Sequence, residues 1–272
     1  MQTLSGTLPA PPGAGLPGVY PSLITLPAMK ALALLLLVAA GVGCGTSAPS
    51  PAPPAPPLSL LVFHKTAGFQ HGSIPAGVQA LRELGQAHGV RVEATADAGR
   101  FTPDGLKAYQ AVVFLNTTLD VLDPAQQAAF EQYIRGGRGF VGVHAATDTE
   151  YDWPWYNGLV GAYFNGHPAV QPATIRRADR RHPATAHLPD AWARTDEWYN
   201  FRSLAPDLHV LLTLDETTYS GGTHGASHPI AWYHPYDGGR AFYTGLGHTE
   251  ESYAEPQFRQ HLWGGVQYAL GR

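Results

Sequence analysis

Cysteine is almost missing from this chain: among 272 residues there is one, Cys44. With no thiol beyond that position, the sequence excludes an internal disulfide, a thiolate metal site and a cysteine nucleophile. Charge is scarce too, at 14% of residues, and a net charge of −4 gives no footprint for nucleic acid. The single basic cluster, Arg176, Arg177, Arg180 and Arg181, is interrupted by Asp179 and reads as a solvated loop rather than a phosphate site. There is no internal repeat and no coiled-coil pattern. The apolar run Ala31–Ala40 falls short of the roughly 20 residues that a spanning helix needs.

Proline is abundant but unevenly placed. Of 24 prolines, 12 lie before Leu58, in a stretch whose only charged side chain is Lys30. Within it, Met29-Lys30 followed by Ala31–Ala40 has the form of a signal peptide. Residues 1–28 then read as a mistranslated or disordered leader, and 29–44 as the signal. Gly43-Cys44-Gly45 at its end resembles the bacterial lipobox, with Gly41 where that pattern prefers Leu. The resemblance implies lipidation of Cys44 and an extracytoplasmic, membrane-anchored protein; ordinary signal cleavage, giving a secreted or periplasmic form, is the alternative. The Pro- and Ala-rich stretch 45–57 reads as a linker. The folded domain is expected over 58–272.

From Leu58 the pattern changes to short apolar runs separated by helical periodicity. Strands are expected at Leu58–Phe63, Val90–Ala94, Ala111–Leu115 and Gly139–Val143. Helices are expected after Ser73, taken as an N-cap, and after Asp123-Pro124. This alternation predicts an α/β fold with a parallel sheet between helical layers. Further strands are expected at Thr174–Arg177, Leu208–Leu214, Ile230–Tyr233 and Arg240–Thr244, and a last helix at Pro256–Leu270. In such sheets ligands bind beyond the carboxyl ends of the strands. That rule brings together the loops His64–Ser73, His144–Asp152 and Gly245–Ser252.

Those loops carry the candidate chemistry. Gly142-Val143-His144-Ala145-Ala146 ends a strand on a histidine with small flanks, like a nucleophile elbow carrying an imidazole, which acts as acid, base or metal ligand. His248 and Glu250 follow the last strand, and a histidine oriented by a carboxylate is the usual general-base pair. His64, Lys65, Thr66 and His71 share a loop ahead of a helix, suited to anions or sugar hydroxyls. Asp148, Asp152, Trp153, Tyr156, His167, Glu197, Tyr199 and Thr249 combine aromatic faces with hydroxyl-binding groups, as a sugar pocket requires. No compact metal-ligand spacing occurs, so no metal ligand is assigned; any metal site among the 13 histidines has to be assembled by the fold.

Five blocks in order, Thr66–Ile74, Gly142–Thr149, Trp155-Tyr156 with Gly161–Pro168, Asp196–Tyr199 and Gly239–Thr249, resemble the ThuA-like, or trehalose-utilisation, family. The resemblance implies a flavodoxin-like, class I glutamine amidotransferase-like three-layer sandwich with a mainly parallel sheet. It sets His144 where an amidotransferase has its cysteine, and His248 with Glu250 where it has its His and Glu. Glutaminase chemistry is thereby excluded. The expected function is action on a disaccharide or keto-sugar by acid-base chemistry between His144 and His248, with no cofactor. The alternatives are a non-catalytic surface protein that captures sugars, for which Trp153 would be essential, and a metal-dependent hydrolase. The oligomeric state is not readable from the sequence.

Overall fold

A computed structural model describes residues 57–272. The leader, the signal, Cys44 and all but the last residue of the linker lie outside the described residues. No described helix is long and apolar enough to cross a membrane.

Among the described residues there are eleven strands and five helices, alternating in the first half. The strands are β1 Ser59–Phe63, β2 Arg91–Thr95, β3 Ala111–Leu115, β4 Gly139–Val143, β5 Tyr163–Phe164, β6 Gln171–Arg177, β7 Ala191–Asp196, β8 Phe201–Arg202, β9 His209–Asp215, β10 His228–Tyr236 and β11 Gly239–Thr244. The helices are α1 Ile74–Ala87, α2 Pro103–Leu106, α3 Pro124–Arg135, α4 Pro154–Val160 and α5 Pro256–Ala269. Nine strands form one sheet in the order β2-β1-β3-β4-β11-β10-β9-β6-β7, while β5 and β8 pair separately.

The first five strands of that order are all parallel, in the flavodoxin-like sequence in which β1 and β3 flank the switch point. This is the expected α/β sandwich. β1, β3 and β4 are buried along their whole length, as strands covered on both faces must be, which is why they read as unbroken apolar runs. From β11 onward the sheet continues by antiparallel pairings through β10, β9, β6 and β7. β7 is an edge strand, missed in the sequence because Ala-Trp-Ala-Arg-Thr-Asp alternates faces without a β-branched run.

Helix starts were legible where the chemistry is local. Asp123 accepts from the backbone of Ala125 and Gln126, and Gln126 reaches back to the Asp123 amide, a complete capping box. Ser73 sits at the N-cap of α1, but its side chain does not cap. Its hydroxyl instead donates to the Gly247 carbonyl and accepts from Asn116 Nδ2, so the residue ties the loops after β1, β3 and β11 together.

Candidate functional site

The three loops meet at the carboxyl ends of β1, β4 and β11. β4 delivers His144 at φ 47°, a left-handed conformation uncommon for a residue with a side chain and costing on the order of 1–2 kcal/mol. Its surroundings impose it. Tyr243 donates to the His144 carbonyl at 2.8 Å, and the His144 ring places Nδ1 2.9 Å from the Gly245 carbonyl. The Gly245 oxygen accepts only, so Nδ1 carries a proton, and Nε2 faces the other way.

At that second nitrogen two groups converge. Nε2 of His144 lies 3.3 Å from Nδ1 of His248 and 3.3 Å from Oε2 of Glu197. The third side of this triangle, His248 Nδ1 to Glu197 Oε2, is 3.2 Å. The other Glu197 oxygen faces His167 Nδ1 at 3.0 Å. His71 stands edge-on to both His144 and His248, with ring centroids 5.0 and 5.2 Å away. It is 4% exposed and its Nδ1 has no hydrogen-bond partner. His71, His144, Glu197 and His248 each offer one ligand atom, all within 4.8 Å of one another.

The electrostatics follow from burial and proximity. Burial opposes charge on Glu197, yet hydrogen bonding from His144 and His248 holds its carboxyl well below the usual carboxylate range. Burial also works against protonation of His248, but Glu197 outweighs it and raises its pKa. His71 has no such partner: burial and the neighbouring imidazoles lower it to about 3, so it is a neutral ring with free lone-pair capacity.

Above the cluster opens a cavity of about 330 Å³, walled by Phe69, Phe164 and Tyr199, with Asp148 and His167 beside the histidines. Tyr199 lies against His144 at 4.1 Å between ring centroids. Burial raises the Asp148 carboxyl, against a hydrogen bond from Tyr151 that lowers it. His71, Asp148, His167, Glu197, Tyr199 and His248 therefore line one pocket, with His144 fully buried at its floor.

Other candidates lie elsewhere. Glu250 does not orient His248: it is exposed, its carboxylate lies beside Gly72, and its carbonyl accepts from the Tyr253 amide in a turn. Gly247, at φ 103° with the Tyr253 hydroxyl 2.8 Å from where a Cβ would be, turns the chain so that His248 heads inward. Thr249 pairs with Ser252 in the same turn. Lys65 donates to the Val121 carbonyl, Thr66 bridges to Thr118, and the His64 amide bonds to Thr95, so this part of the loop is structural. Trp153 is buried, bonded to Glu131 and stacked on Tyr156, whose hydroxyl donates to Ala146; neither lines the pocket, and Asp152 is exposed.

The sequence did not single out Asp196. It is fully buried, accepts from the amides of Gly247 and His248, and pairs with Arg194, itself bonded to Ser252 and Glu255. Phe69, 66% exposed at the pocket mouth, was likewise missed; a lone aromatic in a polar loop carries no periodic signal.

The sequence profile of the ThuA family, described as trehalose utilisation, matches residues 59–269. The chain belongs to the ThuA family. Two ThuA-like proteins of known crystal structure share the fold of this ThuA chain. The one from Bacteroides uniformis ATCC 8492 is 24% identical with TM-score 0.67, over 82% of this chain and 95% of that one. The one from Parabacteroides merdae ATCC 43184 is 21% identical with TM-score 0.67, over 79% and 90%. A cytoplasmic protein from Salmonella typhimurium, 11% identical, matches at TM-score 0.55 over 78% of this chain and 98% of its own. No curated protein matches the sequence.

Proposed function

We propose that this ThuA-family chain is an enzyme acting on a small carbohydrate, with its reaction in the pocket above the His144–Glu197–His248 cluster. The observation that carries this reading is the placement of a buried imidazole–carboxylate cluster at the floor of an aromatic-walled cavity. Sugar rings pack their C–H faces on such walls, here Phe164 and Tyr199, while Asp148 and His167 meet hydroxyls. The family's link to trehalose supports the substrate class.

His144 is enclosed, with Nδ1 on a carbonyl and Nε2 on its neighbours, so it has no free edge for a substrate proton. Proton transfer therefore falls to the groups beside it. On a keto-sugar, the Asp148 carboxylate takes the proton from the carbon next to the ketone. The C–H electron pair forms an enolate, whose oxygen is stabilised by the positive charge the cluster holds against Glu197. Collapse of the enolate expels the glycosidic oxygen, which takes a proton from His167.

Incubation with disaccharides and their 3-keto derivatives, followed by mass spectrometry, tests this. Product is expected with wild type and Trp153→Ala, and a loss of about 100-fold or more with Asp148→Asn. Sugar-dependent thermal stabilisation without product from any sugar would replace the enzyme with a capture protein. We also propose the extracytoplasmic, Cys44-anchored setting; incorporation of labelled palmitate that persists in Cys44→Ser would exclude it.

A further inference from the structure

We infer that His71, His144, Glu197 and His248 form a binding site for a divalent transition-metal ion of the zinc class. The sugar reading gives this ion a use, but its binding does not depend on that reading.

The first observation is that ligand-type atoms converge on one point. His144 keeps a hydrogen on Nδ1, against the Gly245 carbonyl, which leaves Nε2 as the atom it can offer to a cation. Glu197 Oε2 offers lone pairs 3.3 Å away. Nδ1 of His248 lies 3.3 Å from the first and 3.2 Å from the second, so three atoms able to give a lone pair to a cation crowd one point. A cation at the centre satisfies all three at once.

The second is size. A tetrahedral ion with bonds of about 2.0–2.1 Å holds its ligands about 3.3 Å apart. The three separations here are 3.2, 3.3 and 3.3 Å. The third is His71, a buried imidazole at the cluster whose Nδ1 has no partner within the chain. It completes a set of three nitrogens and one oxygen, borderline donors that suit zinc rather than magnesium or calcium.

The surrounding bonds are those a metal centre uses. A ligating histidine gives its other N–H to a carbonyl, as His144 does to Gly245, and a ligating carboxylate is held by its second oxygen, as Glu197 is by His167. The His248 amide is anchored by Asp196. Tyr199 and Phe164 wall the cavity over the cluster, so an ion reaches its four ligands from that side.

The test uses the purified full chain stripped with EDTA. Calorimetric titration with Zn²⁺ is expected to show one site with sub-micromolar affinity, and Co²⁺ to give the intense visible bands of a tetrahedral nitrogen-oxygen site. Glu197→Gln and His71→Gln should each weaken Zn²⁺ by more than the roughly 10- to 100-fold that losing an outer-shell partner costs, whereas Glu216→Gln, in a different histidine cluster, should not. Circular dichroism of each variant separates lost binding from lost fold. Binding no tighter than millimolar, or equally tight in Glu197→Gln, overturns the inference. Metal binding without turnover of any sugar sinks the sugar reading alone; sugar turnover unaffected by EDTA in protein that binds no Zn²⁺ sinks this inference alone.

Discussion

Two histidine–carboxylate groups lie in this protein, and they are built to opposite ends. Around His228, fully buried, Nδ1 sits 2.7 Å from Glu216 and Nε2 2.8 Å from the Tyr199 carbonyl. Glu216 also accepts from the amides of His224 and Gly225, and His224 accepts from the Phe201 amide. Every one of these bonds ends on a partner that completes it, so the group fastens the 216–228 loop to the sheet. Around Glu197, two imidazole nitrogens and a carboxylate oxygen crowd one point, a third imidazole has an unpartnered nitrogen, and the whole opens into a cavity. The lesson is that residue types do not distinguish a cluster closed on itself from one that opens to a cavity. What distinguishes them is whether the polar atoms are satisfied within the chain.

Substitutions should break the two groups differently. Glu197→Ala is expected to abolish turnover, by about 100-fold or more, while Glu216→Ala leaves turnover per folded molecule within about twofold; steady-state rates normalised to folded protein by circular dichroism decide it. Equal losses in both would erase the distinction. Next in size, Asp196→Asn removes charge from the support of Gly247 and His248, and turnover should fall about 10- to 100-fold through misplaced His248, as outer-sphere changes do. An unchanged rate there would show that the His248 loop holds itself.

On the structural side, His228→Gln should cost about 1–3 kcal/mol in denaturant unfolding, the penalty for leaving buried partners unmet, with activity retained. Acid should weaken buried histidines outside both groups. Burial lowers His182 to about 4 and His261 to about 3, below the value near 6.5 of the unfolded chain. The unfolded state therefore takes up protons first, and their contribution, complete above about pH 6.5, is lost as pH falls toward 4. Thermal melts across that window should show it, and His182→Asn, which keeps an acceptor for the Ala184 amide, should flatten the slope. The smallest effect belongs to Phe69→Ala: stability within about 0.5 kcal/mol, as for other exposed positions, with sugar affinity reduced about tenfold. Unaltered affinity would remove Phe69 from the binding wall.

Locally encoded features were readable in advance. β1, β3 and β4 announced themselves as apolar runs, the α3 capping box as Asp123 with Gln126, and the ThuA resemblance as blocks in order. Strand ends carrying His144 and His248 were legible because a parallel sheet exposes them at one edge. Where a polar side chain turns depends on partners distant in sequence. Glu250, two residues from His248, looked like its natural carboxylate, but the turn at Gly247 sends it outward; Glu197, delivered by the chain leaving β7, takes its place. Trp153 and Tyr156 looked like sugar platforms and are core.

The sequence by itself thus determined the α/β order, the family, the absence of any thiol beyond Cys44 and the three loops that meet, since each follows from local periodicity, composition or motif. Only the tertiary structure decided which carboxylate joins the histidines, that His71 and His144 share one centre, and which aromatics face the cavity. Those choices depend on distances of about 3 Å between atoms up to 104 residues apart along the chain, and no local pattern encodes such a distance.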